Sequence, residues 1–181
     1  MNKKIRWITE TAIMLALLVT LQALTKGFGQ LVTGSCVNAV LAVSVLVGGW
    51  GTGLTVALVS PVLAFLLGIA PQVLTVPAIM AGNSIYVVLL RLIIGGSGSS
   101  AVKRIAAWLV AAAAKFAVLY VIVTKLICGV LAPTLLNAGL MKEPMLKALP
   151  ATFSYPQLIT ALIGGAVALL IVPVLRKALH K

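Results

Sequence analysis

Acidic side chains are nearly missing from this sequence. Only Glu10 and Glu143 carry a carboxylate, against 14 lysines and arginines in 181 residues. Two acids so far apart cannot supply the paired carboxylates of a lipid-modifying membrane enzyme, and no His/Ser constellation replaces them. Histidine is as scarce, with His180 alone in the tail. Cys36 and Cys128 are the only cysteines, and neither has a neighbour at metal-ligand spacing. No metal centre and no cofactor is therefore expected. A disulfide between them is geometrically feasible, with free thiols the favoured state. No GxxxxGK[ST] loop is present, so the chain is not expected to be an enzyme that hydrolyses ATP by that route. Charge of either sign is short, at 9% of residues, where a soluble domain carries about 25%.

What fills the chain is apolar. Hydrophobic residues make up 62%, and the mean hydropathy is +1.20. Several runs approach or exceed the roughly 18 residues that mark a helical span. The expected fold class is an all-α integral membrane protein. The net charge of +12 does not point to nucleic acid. The basic residues form no single patch but flank apolar segments, as they do where they orient membrane helices. The start, MNKKIRW before an apolar run, imitates a signal peptide. Residues 8–24 are long for its apolar region and lack an A-x-A cleavage site, so a retained first helix is expected.

Six transmembrane helices are expected in one domain over residues 1–181, at about 8–24, 35–48, 53–68, 75–94, 105–131 and 155–175. Residues 35–70 hold no charge. As one helix they would run about 54 Å, against a hydrocarbon core of about 30 Å. The stretch must fold back, and the break is written as Gly48-Gly49-Trp50-Gly51-Thr52-Gly53. Pro61 is expected to kink the second arm. Residues 69–72 make a turn, 95–100 a flexible connector and 132–154 a longer linker. An even helix count puts both termini on one side. With the termini inside, Lys3, Lys4, Arg6, Arg91, Lys103, Arg104, Arg176, Lys177 and Lys181 fall inside. Lys26, Lys125, Lys142 and Lys147 fall outside, a bias that predicts N-in and C-in. No internal repeat is visible, so inverted-repeat transporter logic lacks support.

One cation remains. In "VAAAAKFAVLY" Lys115 interrupts an apolar run, at a cost of at least about 2.5–3.5 kcal/mol on insertion scales. Arg104 and Lys125 mark the two ends of this helix, 21 residues apart, or about 31 Å. Lys115 lies midway, too deep for its stem of about 6 Å to reach an interface. Ala111, Ala112, Val118, Leu119 and Ile122 share its face. Either Lys115 floors an outward-open cavity and meets a polar or anionic ligand, or it bonds backbone carbonyls or a neighbouring Asn for packing alone. Intramembrane ionisable groups are functional by default, which favours the first.

Asn83 lies at similar depth, with Tyr86 one turn on along the same face. Site membership and an interhelical hydrogen bond weigh equally for it. Asn38, Gln72, Tyr155 and Gln157 lie toward the outer ends, where an interfacial role is the commoner one. Ala12 and Ala16 form a small-xxx-small pair that permits close helix contact.

Together these features resemble a family. The basic start followed by "TAIMLALLVTLQAL", then "VTGSCVNAVLAVSVLVGGWGTGLTVALVSPVLAFLLG", "PAIMAGNSIYVVLLRLI" and "AAAAKFAVLYVIV", resembles the substrate-binding S component of energy-coupling factor (ECF) transporters, over nearly the whole chain. The resemblance implies a multi-pass subunit in the cell membrane of a prokaryote that binds a vitamin or related micronutrient. Its site would lie at the outer side among helices four to six, under the first, third and fifth loops. Those loops hold Phe28 and Gln30, then Gln72, then the 142–154 region. It further implies a membrane-embedded coupling subunit docked on helices one to three, with Ala12 and Ala16 matching the family's AxxxA motif, and two cytoplasmic ATPases. The lack of acids argues against a strongly cationic substrate. Lys115, with Lys125 a second candidate, suits a neutral or anionic one bearing carbonyl or carboxylate groups. The alternative is a self-contained channel or facilitator, which would need a polar path through helix halves that are almost wholly apolar.

Overall fold

A computed structural model describes residues 2–69, 72–95 and 99–179. His180, Lys181, residues 70–71 of the expected turn and 96–98 of the connector lie outside the described residues. Every regular element described is helical. Helix α1 is Lys3–Thr25, followed by a 3₁₀ turn at Lys26–Phe28. Helix α2 is Gln30–Leu66, and after a short turn α3 is Val76–Ile94. Helix α4 is Ala101–Leu119 and continues as a π-helical stretch over Tyr120–Val130. Two short helices follow, α5 at Ala132–Asn137 and α6 at Glu143–Thr152, and then α7 at Tyr155–Ala178. Five stretches are long and apolar enough to cross a membrane, which makes this a multi-pass membrane protein.

The second of those stretches is two arms. Gly49 has φ 86 and ψ −170 inside α2, a conformation open to glycine but not to residues with a Cβ. The arms fold back on each other there. A Cβ on Gly53 would stand 2.5 Å from the Cβ of Val45, residues that a straight helix would hold about 12 Å apart. Counting the arms separately gives six apolar spans. Pro61, expected to kink the second arm, leaves no non-helical dihedral there.

The boundaries differ from expectation where capping and charge extend a helix past its apolar run. Helix α1 begins at Lys3 because Oδ1 of Asn2 accepts the Lys4 amide at 3.0 Å, satisfying a donor the helix end leaves free. Helix α2 begins at Gln30, straight after Gly29 at φ 85. The larger correction concerns residues 132–154, which are not an open linker. Pro133 and Pro144 sit in the first turns of α5 and α6, where their missing N–H costs nothing. Leu149 and Phe153 of this region, with Met141, pack on Leu119, Val123 and Ile127.

The interior mixes large and small side chains, with Leu41, Val45, Tyr86 and Leu90 fully buried. The interior is rich in small and polar residues such as Ala42, Ser44, Thr52, Ala57, Ala111 and Ala168. Leu24, Val102, Leu170 and Val174 stand outside, each at least two-thirds exposed. Lipid provides no hydrophobic drive between helices, so close backbone approach and interhelical hydrogen bonds do that work. Gly164 is the sharpest case. A Cβ there would lie 2.7 Å from the Ala39 amide nitrogen, so α7 meets the first arm of α2 backbone to backbone.

The bundle has two distinct ends. Lys3, Arg6, Gly49 and Arg91 line one hollow, and Ile94, Arg104 and Arg176 line its neighbour. Gln22, Gln30, Gln72 and α6 lie at the opposite end, around the main cavity.

Candidate functional site

The main cavity has a volume of about 300 Å³ and opens between the end of α1, the start of α2, the approach to α3, and α6. Its floor is Lys115, which is 3% exposed. An ammonium has only donors, so both neighbouring amides turn their oxygens to it. Nζ of Lys115 donates to Oδ1 of Asn38 at 2.5 Å and to Oδ1 of Asn83 at 2.7 Å. It also stands 5.6 Å from the centre of the Tyr86 ring, within cation–π range.

Each partner is fixed in turn. Nδ2 of Asn38 donates to Oγ1 of Thr160 at 3.2 Å, and that hydroxyl donates to the Gln157 carbonyl at 3.1 Å. The Tyr86 hydroxyl donates to the Ala161 carbonyl at 3.4 Å. The glycine approach at Gly164 brings α2 and α7 close enough for the Asn38–Thr160 bond. Three helices thus converge on the lysine: α2 through Asn38, α3 through Asn83 and α4 through Lys115 itself.

Hydrogen bonds to a charged group are worth about 1.5–3 kcal/mol each. Two of them plus the ring offset an insertion cost of about 2.5–3.5 kcal/mol. They do not supply a counter-charge. Among the described residues no carboxylate lines the cavity: Glu10 lies in the hollow at the other end and Glu143 opens α6 away from the lining. Two of the three ammonium N–H groups are used on these amides.

The walls are mixed. Gln22, Gln30, Thr33, Gln72, Thr75 and Gln157 contribute polar groups, and Val37, Ile69, Ile79, Met145, Leu149 and Phe153 contribute apolar ones. Several polar groups are already committed. Nε2 of Gln157 donates to the Thr152 carbonyl at 3.2 Å, and Oγ1 of Thr75 donates to the Gln72 carbonyl at 2.8 Å. Oε1 of Gln22 is different, being buried with no hydrogen-bond partner among the described residues. At the rim Nζ of Lys26 donates to the Gly68 carbonyl at 2.8 Å, tying the loop after α1 to the loop after α2.

Of the residues singled out from sequence, Lys115, Asn83, Asn38, Gln30, Gln72 and Gln157 line this cavity together. Tyr86 lies beneath it, fully buried and in contact with Lys115 only through its ring face. Phe28 and Tyr155 do not join them. Phe28 is 73% exposed. Tyr155 is turned outward and stacks on Phe116 at 6.1 Å between ring centres. Lys125 is also apart, over the Tyr120 ring at 5.5 Å. It is exposed within the π-helical stretch. Of the positions expected on the Lys115 face Leu119 is buried and Ile122 partly so, and in the π-helical stretch Val123 and Ile127 are the buried positions. Gln22 and Thr33 went unrecognised, while Thr152 and Phe153 fall in the 142–154 region that had been named only as a whole. A glutamine in the last turns of an otherwise apolar first helix was the one signal that could have found Gln22.

Ala12 and Ala16 lie on the outer surface of α1, where only Thr11 and Leu18 are buried. Cys36 and Cys128 are both free thiols. No known protein family, curated protein or solved structure matches the chain.

Proposed function

We propose that this protein is the membrane-embedded substrate-binding subunit of an ECF-type importer for a vitamin or related micronutrient. One observation carries the reading: a cavity of about 300 Å³ at the end opposite Lys3 and Arg176, floored by a buried lysine and lined by no carboxylate among the described residues. That volume sits at the low end of small-molecule sites, about 300–1,000 Å³. The ligand is neutral or anionic and presents a carbonyl or carboxylate oxygen to the remaining N–H of Lys115. A donor elsewhere on it would meet Oε1 of Gln22, satisfying an acceptor that is costly to leave unpaired.

Packing below the lysine favours a binding site over a channel. Tyr86, Leu90, Ala107, Ala111 and Ala112 are each at most 1% exposed, leaving no polar path onward from Lys115 among the described residues. A subunit of this kind needs partners: a membrane-embedded coupling subunit on the exposed face of α1 that holds Ala12 and Ala16, and two ATPases. The orientation is N-in and C-in in a prokaryotic cell membrane, with the cavity facing out.

The test is mass spectrometry of small molecules that copurify with the detergent-solubilised protein, followed by calorimetric titration of the identified compound. The expected result is one tightly bound acidic or carbonyl-rich compound, with uptake into cells only when coupling subunit and ATPases are coexpressed. Flux into liposomes holding this protein alone would overturn the proposal in favour of a facilitator.

A further inference from the structure

The end opposite the cavity gathers charge of one sign into the protein. Arg176 of α7 donates twice to the Leu46 carbonyl, from Nη2 at 2.7 Å and Nε at 3.2 Å. Leu46 lies three residues before the break of α2 at Gly49. Leu46 also separates two hollows and lines both. One, of about 290 Å³, holds Lys3, Arg6 and Arg91; the other, of about 230 Å³, holds Arg104 and Arg176. Arg91 and Arg104 are near enough to Arg176 for their charges to repel it.

Charge orientation across a membrane explains why these residues are basic. It does not explain why they converge. Cations that only orient a helix extend into water, whereas Arg91, Arg104 and Arg176 are each partly buried. The one carboxylate that the described residues place in either hollow, Glu10, accepts from Arg6 at 2.9 Å. The lining of the hollow with Arg104 and Arg176 includes none. Arg91 is anchored on the Gly95 carbonyl at 3.0 Å and Arg176 on Leu46, so the repelling charges are held in place. Guanidinium forks match the oxygens of a phosphate, two at a time. Beside them Ile94, Leu169, Val172 and Pro173 form an apolar wall.

We infer that Arg104 and Arg176 form a binding site for one phosphate-bearing anion beside Leu46 at the bend of α2, with Arg91 adding its charge from the neighbouring hollow. The apolar wall suits a phosphodiester that carries acyl chains, the headgroup of an anionic phospholipid, better than free phosphate. This site is independent of the proposed transport role. It would tie α2, α3, α4 and α7 together at the end remote from the cavity.

Thermal unfolding of the full chain in neutral detergent tests it, with three additives: phosphatidylglycerol, phosphatidylcholine and inorganic phosphate. A rise in midpoint with phosphatidylglycerol alone supports the lipid source. An equal rise with inorganic phosphate supports the site and assigns it to the free ion. No rise with either overturns the proposal. Arg104→Gln is the decisive variant, because no hydrogen bond of its side chain to the described residues holds the fold. It should weaken the phosphatidylglycerol effect about fivefold in apparent affinity, from roughly 1 kcal/mol per basic residue near an anionic lipid. Lys103→Gln, the same charge change on an exposed neighbour outside both hollows, should leave it within twofold. Equal losses in the two variants would reduce the effect to diffuse charge and sink the site. If Arg104→Gln lowers the midpoint without additive, Arg104→Lys keeps the charge but loses the fork, and retained full affinity in it would likewise count against a phosphate site.

Discussion

Nζ of Lys115 on α4 stands 2.7 Å from Oδ1 of Asn83 on α3. The same ammonium holds Asn38 on α2 at 2.5 Å. The packing role of Lys115 is thus shown, and the proposed ligand-binding role would draw on the same side chain. Two N–H groups fasten three helices, so variants must separate that structural role from the proposed recognition.

Lys115→Met removes the charge and keeps the volume. Both amides lose a donor but border the cavity, so the protein should insert and fold. Ligand affinity should fall about tenfold to a hundredfold, since a charge-assisted hydrogen bond is worth about 1.5–3 kcal/mol. Calorimetric titration of the copurifying compound measures this. Unchanged affinity would remove Lys115 from recognition.

Asn83→Leu leaves the lysine in place with one amide fewer. An under-satisfied buried charge costs about 1–3 kcal/mol or more, read as a lower unfolding midpoint. The same change in a Lys115→Met background should cost much less, because the group it strands is gone. Equal costs in the two backgrounds would show that the pair is not energetically coupled.

Much of this was legible in the sequence, and the failures have physical causes. The fold-back at Gly48–Gly53 was forced by length alone, since no bilayer holds a straight helix over residues 35–70. Mid-helix Lys115 declared itself by its cost. Asn38 was read only as a candidate toward the outer end, because its bonds to Lys115 and Thr160 join residues distant in sequence. Residues 132–154 looked like a linker because their prolines and charges imitate a loop, yet two prolines sit in helix first turns and Leu149 and Phe153 pack inward. Tyr155 was misplaced by geometry, since it stands outward at the start of α7.

Gly164→Leu should be severely destabilising, because its side chain would enter the backbone of Ser35 and Ala39. Gly27→Ala is the contrast, since an added Cβ there would meet nothing within 4 Å and the backbone has no positive φ. Unfolding midpoints of the two, measured in one detergent, should differ sharply. Similar midpoints would contradict the close α2–α7 contact.

Lys26→Gln cuts the tie to the Gly68 carbonyl at the cavity rim. Both loops are at the surface, so global stability should hardly change. The ligand should instead leave faster, by about two- to fivefold, with little change in association, as is usual for changes at one interface. Stopped-flow displacement reads the dissociation rate directly. An unaltered rate would show that the tie does not gate the cavity.

Ala12→Trp separates binding from coupling. Ala12 and Ala16 are exposed on a helix that buries only Thr11 and Leu18, and neither touches the cavity. Small residues on such a face let another helix approach closely, and an indole would hold it off. In the isolated protein the variant should therefore fold normally and bind its ligand with unchanged affinity. In cells that also make the coupling subunit and ATPases, uptake should be lost, and the variant should fail to copurify with the coupling subunit. Intact uptake with Ala12→Trp would mean that this face of α1 meets only lipid, and the proposed partnership would have to be sought on another surface.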